Sequence, residues 1–344
     1  MDNLQKQNCE ENQCCEKQTC CQEEQAQQEK QCCEKQTCCE EEQVKQENQC
    51  CEKQTCCQVE QVQQQCTTNC CESDEQIKNT VKQRYGEICE QTKQINAASF
   101  CGVGGCCSST GCGTIDYAVF AENYEKLQGY VPEADLGLGC GIPTEFAEIK
   151  KGDIVLDLGS GAGNDCFIAR ALVGDTGKVI GVDMTPNMIR KAQLNSDKYN
   201  FRNVEFRYGD ISDLPILDNF VDVVISNCVI NLVPDKRKVF QEILRVLKPN
   251  GHFSISDVLT TGDLPQSIRK ASELHVGCVS GALRKDVQIK LLEELGYVDI
   301  QIKKEKTIDF PDELMLKYVS QEELKEFQDS GIKIISATIY AKKQ

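Results

Sequence analysis

Apolar and polar positions follow two different rhythms along this 344-residue chain. Short runs rich in Val, Ile and Phe at 154–158, 179–182, 204–206, 221–225 and 253–255 are bounded by Gly, Asn and Asp, which predicts strands. Between them, stretches such as 187–198 and 235–247 repeat apolar residues every three to four positions, which predicts helices. Pro234-Asp235 opens the second of these, with Pro in its tolerated first-turn position. Strand–helix alternation of this kind predicts an α/β fold, with a mostly parallel sheet covered on both faces by helices. Upstream, Asp74 is placed to cap a helix whose apolar face is Ile77, Val81, Tyr85 and Ile88. Downstream, helices around 268–276 and 286–295 and strands near 298–302 and 332–341 predict a C-terminal α+β extension that completes the sheet.

Neither rhythm exists in the first 73 residues. The string CCEKQTCC recurs with a period of 18 residues, supplying Cys14, Cys15, Cys20 and Cys21, then Cys32, Cys33, Cys38 and Cys39, then Cys50, Cys51, Cys56 and Cys57. Sixteen of the 25 cysteines fall within residues 1–71, and no aromatic residue precedes Tyr85. Such a segment cannot bury enough apolar surface to offset the entropy of ordering, so an arm that is disordered, or ordered only by a ligand, is expected. Eighteen residues are five turns of α-helix, so a helical arm would carry every cysteine cluster on one face. Paired thiols in repeat point to capture of a thiophilic metal or metalloid. The division expected is an arm over 1–73, a central domain over 74–262 and a C-terminal region over 263–344.

Charge and cysteine use narrow the setting. The formal net charge is −16, and residues 1–75 alone carry 17 Asp or Glu against 6 Lys. That balance argues against nucleic acid and anionic membranes as partners, since both are bound by basic surfaces. The N-terminus has neither a basic region nor an apolar core of a signal peptide, and no apolar stretch is long enough to span a bilayer. A soluble, cytoplasmic, monomeric protein is the expectation. There, clustered thiols stay reduced and read as ligands or redox groups rather than as staples.

The strongest local signal is the stretch Ile154-Val-Leu-Asp-Leu-Gly-Ser-Gly-Ala-Gly-Asn-Asp165. Gly159, Gly161 and Gly163, between a strand and a helix, let backbone pass close to a ligand at the helix N-terminus. Asp157 would repel a pyrophosphate but suits a cationic amino-acid head. Asp183 ends the second strand, where an acid commonly grips ribose hydroxyls. Asp210 follows the third strand, placed to accept from an adenine amino group. In this order and spacing the acids favour S-adenosylmethionine as cofactor. A second glycine-rich stretch, 99–113, holds Cys101, Cys106, Cys107 and Cys112 in a loop.

The turn and its acids resemble class I S-adenosylmethionine-dependent methyltransferases with a Rossmann-like fold. More narrowly, residues 77–344 resemble arsenite methyltransferases through Leu138-Gly-Cys-Gly-Ile-Pro143, Asn164-Asp-Cys166, Gly181-Val-Asp-Met-Thr-Pro186 and Ser226-Asn-Cys-Val-Ile-Asn231. Weaker matches are Gly277-Cys-Val-Ser-Gly-Ala-Leu283 and Ser336-Ala-Thr338. The repeat arm lies outside the resemblance. What the resemblance implies is methyl transfer to trivalent arsenic held by three thiolates, Cys140, Cys166 and Cys228, with Cys106 or Cys107 as a relay. Cys140 would arrive on a flexible glycine-rich segment, and the helix N-terminus would favour the thiolate of Cys166. Met184, Ile211 and Asn227 join Asp157, the three glycines, Asp183 and Asp210 in the cofactor set. The substrate would be arsenite or methylarsenite, free or as a glutathione adduct. A thiol reductant, glutathione or thioredoxin, would act as co-substrate.

Cys89 and Cys278 read as structural, and His275 beside Cys278 lacks the further ligands of a zinc site. Two other readings share the sequence. One is a methyltransferase for an organic small molecule, in which the cysteines are incidental. The other is a thiol-rich sequestering protein with an inactive methyltransferase body.

Overall fold

The computed structural model describes residues 74–90, 122–265, 267, 278–279, 281–310, 312–316 and 319–344. All belong to the compact unit Glu72–Gln344. The repeat arm, the 99–113 loop with Cys106 and Cys107, His275 and the helix expected at 268–276 lie outside the described residues.

Helix α1 (Asp74–Cys89) buries Val81, Ile88 and Cys89. A short helix, α2 (Pro143–Phe146), precedes β1 (Ile154–Leu158), and α3 (Asn164–Val173) follows the glycine turn. The alternation continues through β2 (Lys178–Asp183), α4 (Pro186–Lys198), β3 (Val204–Tyr208) and β4 (Val221–Asn227). Helix α5 (Lys236–Val246) leads into β5 (Leu247–Thr260). Asp235, rather than Pro234, is its N-cap: the carboxylate accepts the Lys238 N–H at 3.0 Å, satisfying one of the orphan donors of the first turn. Then come β6 (Leu283–Arg284), α6 (Lys285–Glu294), β7 (Tyr297–Ile308), α7 (Asp312–Met315), α8 (Gln321–Asp329) and β8 (Ile334–Lys343). Helix α8 starts with a reciprocal capping box between Ser320 and Glu323.

The strands form one sheet in the order β3-β2-β1-β4-β5-β8-β7, with β6 beside β5. Strands β1 to β5 are mutually parallel, whereas β8 runs antiparallel between β5 and β7. This is the Rossmann-like, doubly wound arrangement. Its central strands are apolar on both faces because helices cover both, and the largest core cluster joins Leu156, Ile180, Val224 and Phe253 to Phe240 and Ile243 of α5. Strand order reverses between β1 and β4, and in open α/β sheets ligands bind outside the carboxyl ends of strands at such a point. The strand β8, from the region after 263, pairs with β5 along nine residues from His252 to Thr260, so the C-terminal region is built into the same sheet. Among the described residues, no helix is long and apolar enough to cross a membrane.

Candidate active site

The cleft at the β1–β4 switch point has an acid-lined end and a thiol end. At the acid end the turn after β1 holds Gly159, Gly161 and Gly163 at φ of 65°, 52° and 97°, a region that L side chains avoid. Gly159 has a second reason to be glycine, since a Cβ there would fall 2.4 Å from the Val229 side chain. The turn therefore packs directly on the residue that follows Cys228.

Asp157 and Asp183 line this cleft, as do Met184, Asp210, Ile211 and Asn227. Asp183 accepts the N–H groups of Gly161 (3.0 Å) and Thr185 (2.7 Å), which ties the glycine turn to the end of β2. Asp210 accepts from Ser212 and forms a 2.6 Å ion pair with Lys78 of α1. Lys78, Val81 and Tyr85 bring α1 across the same cleft. Asp165, in the first turn of α3, was not singled out from sequence, although it sits inside the Asn-Asp-Cys motif. Its carboxylate accepts from the buried Tyr124 hydroxyl (3.1 Å) and from Asn227 Nδ2 (3.1 Å).

Burial raises the pKa of Asp157, Asp165 and Asp183, whereas Lys78 and Ser212 hold Asp210 below the usual carboxylate range. Desolvation pushes Asp165 up to about 6 and raises Asp183, and desolvation plus the Asp165 charge raises Asp157 well above the usual carboxylate range. Among the described residues, no Lys or Arg forms an ion pair with any of them. Two further buried polar atoms on the cleft wall, Ser160 Oγ and Asn164 Oδ1, have no hydrogen-bond partner among the described residues. Uncompensated carboxylates and orphaned polar atoms are costly unless a ligand completes them. A molecule with a cationic ammonium and sulfonium and several hydrogen-bonding groups fits that need, as S-adenosylmethionine does.

At the thiol end the structure brings together two of the expected trio. Cys140 and Cys228 come together as a sulfur–sulfur pair, with Cα atoms 5.8 Å apart. Asp257, on β5, brings a carboxylate oxygen within 4.8 Å of both sulfurs. Desolvation raises this acid to about 7. Cys166 does not join them. Its thiol points to Asp157 Oδ2 at 3.2 Å and packs with Ala147, Val155 and Ile225. Burial and the surrounding carboxylates of Asp157, Asp165 and Asp183 hold it protonated, overriding the helix N-terminus that was expected to favour a thiolate.

Cys278, expected to be structural, is the cysteine that lies next to the pair. Its Sγ donates to the Cys228 carbonyl at 2.9 Å, and it shares an apolar cluster with Cys140 and Cys228. Cys228 and Cys278 both adopt positive φ, 58° and 64°, strained for a residue with a Cβ and typical of functional positions. The only sequence signal was the Gly277–Leu283 match.

The segment of Cys140 is not slack either. Gly139 and Gly141 are glycines because a Cβ would lie 2.5 Å from Asn227 Nδ2 and 2.6 Å from Ser256, respectively. Asn227 is turned toward this segment: its Oδ1 accepts the N–H groups of Cys140 (3.0 Å) and Gly141 (3.3 Å). From β8, Ser336 Oγ donates to the Cys140 carbonyl at 2.5 Å. The Cys228 N–H donates to the Ser256 carbonyl at 2.8 Å.

A methyltransferase domain family model matches residues 149–327. The arsenite methyltransferase of Halobacterium salinarum is 43% identical over 246 residues, 70% of this chain and 59% of that protein. The arsenite methyltransferase of Homo sapiens is 39% identical over 199 residues, 55% of this chain and 52% of that protein. The crystal structure of an arsenic(III) S-adenosylmethionine methyltransferase from Chlamydomonas reinhardtii aligns with a TM-score of 0.51 at 37% identity, covering 60% of this chain and 67% of that one. The chain thus spans between half and six-tenths of the length of these curated relatives. The matched residues 149–327 are more than half of the chain, and the protein belongs to the methyltransferase domain family.

Proposed function

We propose that this protein transfers methyl groups from S-adenosylmethionine to trivalent arsenic held by cysteine thiolates, in the service of arsenic detoxification. The observation that carries the reading is the Cys140–Cys228 pair, adjoined by Cys278, at the edge of a cleft whose other end is lined with uncompensated carboxylates. The names borne by the relatives from Halobacterium salinarum and Homo sapiens agree with it.

S-adenosylmethionine supplies an electrophilic methyl group, and trivalent arsenic supplies the lone pair that takes it. The chain contributes placement and charge. Asp157, Asp165 and Asp183 would balance the cationic cofactor. Gly159, Gly161 and Gly163 admit it to backbone contact, and Asp210, Met184 and Ile211 line the remainder of the cleft. Cys228 and Cys278 would hold arsenic on the cleft side, with Cys140 beside them. Soft, pyramidal arsenic(III) matches soft thiolate ligands. No general base is required, and the gain comes from holding reactants in contact range away from water.

Methyl transfer raises arsenic formally by two electrons, so a dithiol must become a disulfide to restore the trivalent state. Cys140 and Cys228 are paired suitably for that step, and glutathione or thioredoxin would return them to thiols. In this reading the repeat cysteines of the arm capture arsenite ahead of the site, and Cys106 or Cys107 serves as an additional relay. The protein would act as a monomer in the cytoplasm, on arsenite, methylarsenite or their glutathione adducts.

Incubating the reduced protein with arsenite, glutathione and S-adenosylmethionine should yield methylated arsenic, read by chromatography coupled to elemental mass spectrometry. Absence of any methylated product, with S-adenosylmethionine binding intact, would overturn the proposal.

A further inference from the structure

Asn227 enters the sequence reading as a cofactor residue because it lies on the cleft wall, but its hydrogen-bonding capacity is already spent. A side-chain amide has two acceptor lone pairs and two donor hydrogens. Both lone pairs of Oδ1 face the N–H groups of Cys140 and Gly141. Nδ2 lies 2.8 Å from the Gly141 carbonyl, 2.7 Å from the Tyr124 hydroxyl and 3.1 Å from Asp165 Oδ2, three acceptors for two hydrogens. This network fixes which way the amide points, since the flipped amide would set its NH2 against two backbone donors. Gly139 has no side chain in the way: a Cβ there would lie 2.5 Å from Nδ2 and 3.0 Å from Cγ.

The backbone of the same residue leads directly into Cys228. One residue therefore carries one cysteine covalently and grips the segment of the other through its side chain, across 87 positions of sequence. We infer that Asn227 is a positioning residue for the Cys140–Cys228 thiol pair, setting their separation for chelation and for dithiol–disulfide exchange, rather than a ligand of the cofactor. Ser336 and Ser256 brace the outer groups of the same clasp by binding the Cys140 carbonyl and the Cys228 N–H. The adjacent Tyr124 hydroxyl, which has a single hydrogen, stands between the Gly141 carbonyl (2.7 Å) and Asp165, so the clasp meets the cofactor end at Asp165.

The inference rests on the arsenite reading for its substrate but not for its geometry. Asn227→Asp is nearly isosteric, yet it replaces both donors by a carboxylate facing Asp165 and the Gly141 carbonyl. Gly139→Ala attacks the same contact from the other side without touching Asn227. Both variants are made in the full chain, reduced, and compared with wild type in three measurements. These are steady-state kinetics in arsenite, S-adenosylmethionine affinity by calorimetry, and the yield of Cys140–Cys228 cross-link with dibromobimane, mapped by peptide mass spectrometry.

Expected are a rise in KM for arsenite of about tenfold or more and a parallel fall in cross-link yield in both variants, with S-adenosylmethionine affinity changed less than about twofold in Gly139→Ala, which leaves the charge beside Asp165 unaltered. Wild-type cross-linking in folded Asn227→Asp would overturn the inference, as would a selective loss of S-adenosylmethionine binding in Gly139→Ala. Should the wild-type protein fail to methylate arsenite, the functional reading falls, and the cross-link yields still decide the role of Asn227. If Asn227→Asp does not fold, the cross-link and affinity data from Gly139→Ala decide it by the same criteria.

Discussion

At the β1–β2 end of the cleft, Asp157, Asp165 and Asp183 are buried without an ion-pair partner among the described residues. At the β4–β5 end, the N–H and C=O groups of both Cys140 and Cys228 are hydrogen-bonded. The first region is electrostatically incomplete and becomes satisfied when a cation arrives. The second is built in advance, holding even a strained φ at Cys228 and Cys278. The contrast teaches that the two ends select ligands by different means. Under the proposed function, charge compensation would recruit the cofactor, and fixed sulfur geometry the arsenic.

The most damaging way to break that contrast is to remove sulfur from the prebuilt end. Cys228→Ser or Cys278→Ser should lower arsenite methylation by about 10²-fold or more, because one ligand fewer lets the reacting atom drift. Cys166→Ser should retain activity within a few-fold, since its thiol serves Asp157 rather than the pair. Equal losses in all three would abolish the distinction. A smaller effect is expected at the incomplete end. Asp157→Asn should weaken S-adenosylmethionine binding by about ten- to hundredfold, the worth of a charged hydrogen bond, while leaving the Cys140–Cys228 cross-link unchanged.

Proton linkage sharpens the comparison further. Burial pushes Asp165 up to about 6, and a bound cation favours its ionised form. S-adenosylmethionine affinity measured by calorimetry should therefore fall as pH drops through about 6, by up to about tenfold per unit. A flat profile from pH 5 to 7 would mean that these carboxylates do not meet the cation.

The smallest effect concerns the fold itself. Asp165 at about 6 and Asp257 at about 7 lie above the ordinary 3.8, so the native state binds more protons than the unfolded chain between those values. Their contribution to stability is present at low pH and lost as pH rises through the folded pKa values. Acidifying the ligand-free protein from pH 7.5 to 5.5 should accordingly raise Tm by a few degrees, and adding S-adenosylmethionine should flatten that dependence.

The fold was largely legible in the sequence because each buried strand announces itself as a short apolar run between turn residues, and the alternation with amphipathic helices admits few topologies. The acid end was partly legible for the same reason, since glycines and acids at strand ends occupy fixed places in such a sheet. Asp165 and Tyr124 escaped because their role arises from a contact across 41 positions. At the thiol end, one expected residue lies apart from the other two. Cys166 and Cys228 both follow strands of the sheet, but the Cys166 side chain turns back beneath Asp157. Cys278, 50 residues past Cys228, reaches the site through chain path alone. Motif proximity pointed to thiols, and the three-dimensional path brings Cys278 rather than Cys166 beside the Cys140–Cys228 pair.

The position of β8 has a consequence for how the molecule comes into being. A ribosome releases β1 to β5, and with them the cofactor cradle, before it has made residues 334–343. Ser336, which secures the Cys140 carbonyl, arrives only with that late strand. The late strand also brings Ile335, Ala337, Ile339 and Ala341 to the main core, so the clasp at Cys140 closes in the same step that completes the sheet.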